Sequence, residues 1–371
     1  MRILFFGTYD ERTHPRVRAL REGLAARGHE VTSVNEPLGV STSARVGAAK
    51  NPLRAPALGA RVLRRWVRLW RRGAGLDPEV VVVGYLGHFD VHLARRRFRT
   101  AVLVLDHMVS LGDTVRDRGL GHRSPVARAL DVIDRAALRV ADVAVVDTEE
   151  QAAELPRRPR HLAVVPVTPP EPWLEVQPAA APGSGPLRVV FFGLYTPLQG
   201  APIVGAALAE LAERDDIEVT MVGTGQDLAA TRQAACPNPN VRWIDWVASD
   251  QLPTLVASHH VCLGIFGTTP KSQRVVPNKV LQGAAAGCAI VTSDTPVQRR
   301  LLGDGACYVP AGDAAALASV LARLAADPDE LIDRRRWMTQ RMRRDLTPHS
   351  AAEPLDRLLR SLVPAGSAGT P

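Results

Sequence analysis

The sequence predicts an α/β protein built from two doubly wound, parallel-sheet domains in tandem. Three observations predict it. Short continuous apolar runs alternate with helical stretches along most of the chain. A segment ending in Phe-Phe-Gly occurs twice, as Arg2–Gly7 and as Leu187–Gly193. Between the two lies a proline-dense stretch, with seven prolines in residues 166–186. Continuous apolar runs suit parallel strands covered on both faces. Strand, helix, strand, repeated, is the doubly wound pattern. Proline lacks the donor that helix and sheet interiors need, so its clustering marks a boundary. At roughly 100–200 residues per domain, 371 residues suit two domains.

The elements follow in order. Ile3–Phe6 reads as a first strand, not a secretory signal, because a polar turn stops it after Gly7. Pro15–Arg27 carries Val17, Leu20 and Leu24 at helical spacing and closes at Gly28. Strands are expected at Val31–Val34, Val80–Val83, Ala101–Leu105 and Val143–Val146. After the boundary they are expected at Leu187–Phe192, Glu218–Val222, Val241–Ile244, Val261–Ile265, Ala289–Thr292 and Cys307–Val309. Helices are expected over Pro202–Ala212, Lys279–Ala286 and Ala314–Ala325. The organisation is therefore a first domain over 1–172, a linker over 173–186 and a second domain over 187–345. Residues 346–371 add a helix expected to return to the first domain and, from Pro364, a tail expected to be disordered.

Composition excludes several classes. At 46% hydrophobic and 23% charged, the chain can build a core without metal or disulfide staples. Its four cysteines form no CxxC pair, against zinc ribbons and thioredoxin-type redox motifs. Cys262 and Cys288 sit in apolar runs and read as small buried hydrophobes, which fits a reducing, cytoplasmic compartment. No apolar run approaches the roughly 20 residues of a spanning helix. The net charge of +8 lies wholly in residues 1–175.

In open α/β sheets, ligands bind beyond the carboxyl ends of the strands. Two such domains facing a central cleft suit group transfer between a nucleotide-linked donor and an acceptor. The most informative stretch is residues 264–287. A strand ends, a polar loop carries Lys271 and Arg274, and a helix begins near Pro277, a residue favoured in a first turn. Helix-start amides together with Lys271, Arg274 and Lys279 make an anion site, and a diphosphate suits it. Gln282 lies one turn further, within reach of a ribose hydroxyl. A solvated loop before an Ala-rich core helix is the other reading.

From Leu187 to about Ala326 the chain resembles the nucleotide-binding domain of GT-B glycosyltransferases, specifically the retaining family 4 (group 1). The segments that carry the resemblance are Phe192-Gly-Leu-Tyr-Thr-Pro-Leu-Gln-Gly200, Val222-Gly-Thr-Gly225, Val241-Arg-Trp-Ile-Asp-Trp-Val247, Pro277–Ser293 and Tyr308–Leu317. Residues 6–10, 83–90 and 110–114 are similar to a subgroup's first half. The resemblance implies two Rossmann-like domains and hexosyl transfer from a nucleotide diphosphate sugar, UDP-sugar by default, with no metal or other cofactor. It implies donor contacts from Gly7, Thr8, Gly193, Thr196, Gln199, Gly223, Thr224, Trp246, Val247, Lys271, Arg274, Pro277, Asn278, Lys279 and Gln282. Two features depart from it. The family's Arg and Lys after the first C-domain strand are Leu194 and Gln199 here, and its two Glu are Arg274 and Gln282. Lys271, Arg274 or Lys279 then has to take over the phosphate.

In the first domain, His88 follows one strand, and Asp106 and His107 follow the next. The family places a sugar-contacting His after the latter strand, and the match falls on Asp106 or His107. These three are the candidate catalytic residues; a structural hydrogen bond is the other reading of each. His88 and His92 are spaced as a zinc pair, but no third ligand is apparent in the sequence, so no metal is expected. Arg16, Asp113 and Arg116 are candidates for the acceptor side; for Asp113 and Arg116 a solvated helix start is the other reading.

Residues 37–76 contain no acid among many arginines. Within them Val62, Leu63, Trp66, Val67 and Trp70 form a stripe at helical spacing, with Arg61, Arg64, Arg65, Arg68, Arg71 and Arg72 opposite. The stripe either packs into the domain or rests on anionic lipid at the inner membrane face. Nucleic acid is not expected, since no binding motif accompanies the charge. The acceptor is not identified by the sequence; a glycan, a lipid-linked acceptor or a natural product is expected. Two alternatives stay open: an epimerase-like GT-B enzyme, which needs no acceptor, and a catalytically silent partner protein. A dinucleotide dehydrogenase is disfavoured, because neither Phe-Phe-Gly turn continues as GxGxxG.

Overall fold

The computed structural model describes residues 1–11, 15–39, 55–119, 124–181, 183, 185–236 and 238–363. The tail from Pro364 lies outside the described residues, as do Arg45, Lys50 and Arg54 of the acid-free segment. The chain divides into two compact units, Met1–Pro166 with Pro348–Pro371, and Val167–Thr347. Among the described residues no helix is long and apolar enough to cross a membrane.

In the first unit, β1 (Arg2–Gly7), β2 (Glu30–Asn35), β3 (Val80–Val83), β4 (Val102–Asp106), β5 (Val143–Val146) and β6 (His161–Val164) form one sheet. Its order is β2-β1-β3-β4-β5-β6, with every neighbouring pair parallel. Successive residues point to opposite faces. Ile3, Phe5, Val80 and Val82 pack on Val17, Leu20 and Leu24 of one helix and on Leu355 and Leu359 of the last helix, Glu353–Leu362. Leu4, Phe6, Val81 and Val83 pack on Leu69, Val91, Phe98 and Leu138. Both faces are covered, which is why these strands read as unbroken apolar runs. The edge strand β6 escapes that reading because His161 and Leu162 are exposed. It is short and follows Arg157, Arg158 and Arg160, as protected edges often are.

The last helix is tied to this unit by charge as well as packing. Asp356 accepts from Arg27 Nε at 2.7 Å and Arg360 Nε at 2.8 Å, and its Oδ1 lies 2.7 Å from His29 Nε2. Burial opposes its ionisation, but these partners win and hold the carboxyl below its ordinary range.

In the second unit, β7 (Leu187–Phe192), β8 (Ile217–Val222), β9 (Val241–Ile244), β10 (Val261–Leu263), β11 (Ala289–Ser293) and β12 (Cys307–Val309) form a second parallel sheet, ordered β12-β11-β10-β7-β8-β9. The segment expected to be a free linker is packed here. Trp173 stacks on Phe192 at 5.7 Å, and Ala179 N donates to Ala257 O at 2.7 Å. The boundary accordingly falls at Pro166–Val167. The helix Pro328–Asp345 has few apolar residues and was not expected from periodicity. It buries Leu331, Arg335, Met338 and Met342 along one face. Arg335 is buried because its guanidinium donates to Gly287 O at 2.7 Å and Ala179 O at 2.5 Å. Cys262 and Cys288 are fully buried.

Candidate functional site

The second unit's site is built at the carboxyl ends of β7, β8 and β10. Gly193 and Gly223 end β7 and β8 with φ of 135° and 123°, a region that favours glycine. A Cβ on Gly223 would stand 1.9 Å from Gly193 O, so the two turns interlock only without that side chain. Tyr195 is fully buried behind them, its N donating to Thr224 O at 3.0 Å. Thr196 precedes a short 3₁₀ turn, Pro197–Gln199. Gln199 O accepts from Phe266 N at 3.0 Å and joins this turn to the loop after β10.

That loop is braced internally. Ser272 Oγ lies 2.6 Å from both Gly267 O and Thr269 O, and Arg274 Nε donates to Pro270 O at 3.0 Å. The helix Asn278–Ala285 then starts after Pro277, with no side-chain cap and no acid in its first turn. Such a start carries partial positive charge and favours an anion. Beneath it lies a network that sequence reasoning missed. Thr292 Oγ1 donates to Gln298 Oε1 at 2.7 Å, and Gln298 Nε2 reaches Ser293 O and Oγ at 3.0 Å, all fully buried.

Three polar atoms here are shut from solvent without a hydrogen-bond partner in the protein: Tyr195 OH, Gln199 Oε1 and Lys279 Nζ. Lys279 is the most consequential. Burial lowers its amine to about 7, against a slight opposing effect of Cys262. Buried polar groups are nearly always paired, so an orphaned amine beside a helix start points to an absent acceptor. Of the other expected donor contacts, Lys271, Arg274, Asn278, Gln282 and Val247 are half-buried. Trp246 is 76% exposed and open to stacking, whereas Trp243 packs on the core under Arg232.

In the first unit, the side chains expected near substrate are turned inward and answer one another. Asp90 holds the Gly7–Thr8 turn, its Oδ2 accepting from Thr8 N and Thr8 Oγ1, both at 2.8 Å. Its Oδ1 accepts from Trp66 Nε1 at 2.8 Å. Arg16, expected on the acceptor side, is instead 2% exposed. It pairs with Asp106 at 2.9 Å and donates to Val165 O at 3.0 Å. Desolvation leaves each of the pair needing the other, so the chain places Arg16 and Asp106 as partners rather than as free groups.

His88 and His107 meet Asp134 of the helix Pro125–Val140. His88 Nε2 is 2.9 Å and His107 Nε2 is 3.8 Å from Asp134 Oδ1, and all three residues are buried. Asp134 also accepts from Ser110 Oγ at 2.8 Å and from Leu111 N and Gly112 N at 3.2 Å, so it holds the start of the preceding helix, Leu111–Asp117. Burial opposes the carboxylate, yet the histidines hold it well below the usual range, while burial lowers the His88 imidazole. Their ligand atoms lie within 4.8 Å of one another and could hold a divalent cation. The third group that the His88–His92 spacing lacked is thus supplied by distant residues, and His92 is not part of the cluster. Asp113 N donates to Ser110 Oγ at 3.3 Å, and Arg116 pairs with Asp131.

Known proteins give this geometry a class. Residues 186–327 match the family model described as Glycosyl transferases group 1. The matched span, less than half of the chain, holds every loop of the second unit's site, and over that span the chain is similar to a group 1 glycosyl transferase domain. The whole chain has the GT-B fold. Sucrose-phosphate synthase from Thermosynechococcus elongatus superposes with a TM-score of 0.74 at 15% identity, covering 98% of this chain and 99% of that one. Anabaena HepE in complex with UDP-glucose gives 0.68 at 12% identity, with 97% and 100% covered. The trehalose-phosphate synthase of Burkholderia vietnamiensis gives 0.66 at 14%, with 99% and 98% covered. No curated protein sequence matches the chain.

Proposed function

We propose that the protein transfers a sugar from a nucleoside diphosphate sugar, UDP-linked by default, to an acceptor, with retention at the anomeric carbon. The observation that carries this is the uncapped start of the helix Asn278–Ala285 with the orphaned Lys279 amine beside the β7 turn. HepE bound to UDP-glucose supports a UDP-sugar as the donor here. The sugar's C1–O bond to the leaving phosphate breaks, and a C1–O bond to the acceptor forms on the same face. The leaving phosphate oxygen takes the acceptor's proton, so no side-chain base is assigned. Helix-start amides and Lys279 stabilise the charge that grows on the diphosphate. His88, His107 and Asp106 act as positioning residues beneath the first unit's turns. No step uses a metal, so transfer is expected to survive EDTA. Activity lost to EDTA and restored by Mg²⁺ or Mn²⁺ would contradict this.

The place of action is proposed as the cytoplasmic membrane face. On the helix Ala55–Arg72, Trp66 is half-buried and Leu69 fully buried, whereas Leu63, Val67 and Trp70 stay 62%, 43% and 43% exposed. Exposed Arg61, Arg64 and Arg71 flank them. Apolar side chains between arginines suit an anionic lipid surface. The function is tested by screening nucleotides and nucleotide sugars by thermal shift, then assaying transfer. Stabilisation by a nucleoside diphosphate and acceptor-dependent release of it are expected. Binding of none points to a silent partner, and an epimer or free sugar formed without acceptor points to the epimerase-like reading.

A further inference from the structure

Lys279 is a buried lysine whose amine meets no acceptor. The residue is 5% exposed, and its Nζ has no hydrogen-bond acceptor in the protein. The amine lies 3.5 Å from the centroid of the Phe191 ring and packs against the Gly193 turn. The ring face attracts a cation but offers none of the three acceptors an ammonium needs. Among the described titratable groups, the Cys262 thiol on β10 is the one that bears on its ionisation, and only where the thiol is itself ionised. That thiol is itself pushed up to about 12 by burial and stays neutral. Arg335, on the helix packed behind, is turned to Gly287 O and Ala179 O. No carboxylate sits in the helix's first turn.

We propose that Lys279 is an uncharged amine in the ligand-free protein, and that a nucleoside diphosphate at the β7 turn draws a proton from solvent onto it, so that donor capture is proton-linked. Burial disfavours the isolated charge, and its lowering to about 7 agrees with this. A diphosphate brings both the counter-charge and the missing acceptors, which restore the ordinary ammonium. The donor half of the inference rests on the function proposed above; the ligand-free charge state does not. Above pH 7 the bound form holds one proton more than the free form. Affinity should then fall close to tenfold for each pH unit between about 7.5 and 8.5.

The test uses the full chain and two readouts. With ¹³Cε-labelled lysine there are only Lys50, Lys271 and Lys279 to observe. One signal should titrate near 7 and be missing in Lys279→Met, whose fold is checked by melting. Calorimetry with UDP, in buffers of different ionisation enthalpy at pH 8, should show uptake of about one proton, absent in Lys279→Met. All lysines titrating above about 10 overturns the inference while leaving UDP binding intact. So does UDP binding without proton uptake. Failure of a folded wild type to bind either UDP or GDP removes the donor reading itself, and the proton linkage falls with it.

Discussion

Asp90 should matter more than any expected site residue of the first unit. Its two oxygens accept three hydrogen bonds at 2.8 Å, from Thr8 N, Thr8 Oγ1 and Trp66 Nε1, in a residue 4% exposed. Asp90→Asn keeps one acceptor oxygen but turns an NH₂ toward either Trp66 or Thr8, donor against donor. One bond is lost and the others lose their charge. At about 1.5–3 kcal/mol for a charge-assisted bond, the cost should be about 2–4 kcal/mol. Asp90→Ala strands all three donors and should cost about 3–9 kcal/mol at about 1–3 each. In Trp66→Phe the indole donor is gone, so the asparagine NH₂ has an unopposed direction. The double variant should therefore cost at least about 1 kcal/mol less than the sum of the singles. Because the two units can open separately, the measure is native-state hydrogen exchange of β1 and of the helix Ala55–Arg72. Protection in Asp90→Asn within about 0.5 kcal/mol of wild type, or strict additivity, would refute the reasoning.

Arg274→Ala should weaken UDP about tenfold, the scale of one charged hydrogen bond, and calorimetry showing less than a twofold change would remove Arg274 from the phosphate. On the helix Ala55–Arg72, Arg65, Arg68 and Arg72 are paired with Glu36. The triple variant Arg61→Glu, Arg64→Glu, Arg71→Glu is therefore the one expected to abolish sedimentation with anionic vesicles, and absence of wild-type binding at low salt would end the membrane proposal. His260 is 1% exposed, and burial followed by Arg188 lowers it to about 4. Its folded value lies below its unfolded one of about 6.5, so the unfolded chain takes the proton first as pH falls. The second unit should lose up to about 3 kcal/mol between pH 6.5 and 4, at 1.36 per unit. His260→Asn should flatten that slope, and an unchanged slope in denaturation curves would remove His260 as its source.

The parts legible in the sequence are those fixed by neighbours along the chain. Val80–Val83 and Val143–Val146 are strands at the expected bounds, because burial on both faces leaves an unbroken apolar run; the edge strands Val241–Ile244 and Cys307–Val309 also fall at the expected bounds. The repeated Phe-Phe-Gly marks two sheets for the same reason: each ends a strand where the backbone must turn with positive φ. The loop and helix start around Lys279 were legible too, through proline, basic residues and the absence of acid. Tertiary structure decided what depends on partners far along the chain. His88, His107 and Asp134 come from three elements that the order β3-β4-β5 sets side by side. Asp90 finds Thr8 because β3 lies next to β1, a pairing no local spacing encodes. Glu36, the acid just before the acid-free segment, selects which arginines of the helix Ala55–Arg72 are neutralised. The arginine-rich helix Pro328–Asp345 hides its buried face from any count of apolar residues, because Arg335 is made an interior residue by two carbonyls supplied from elsewhere. Local patterns record which side of an element is apolar; which buried charge is answered, and by what, is settled only when the sheet order brings its partner within reach.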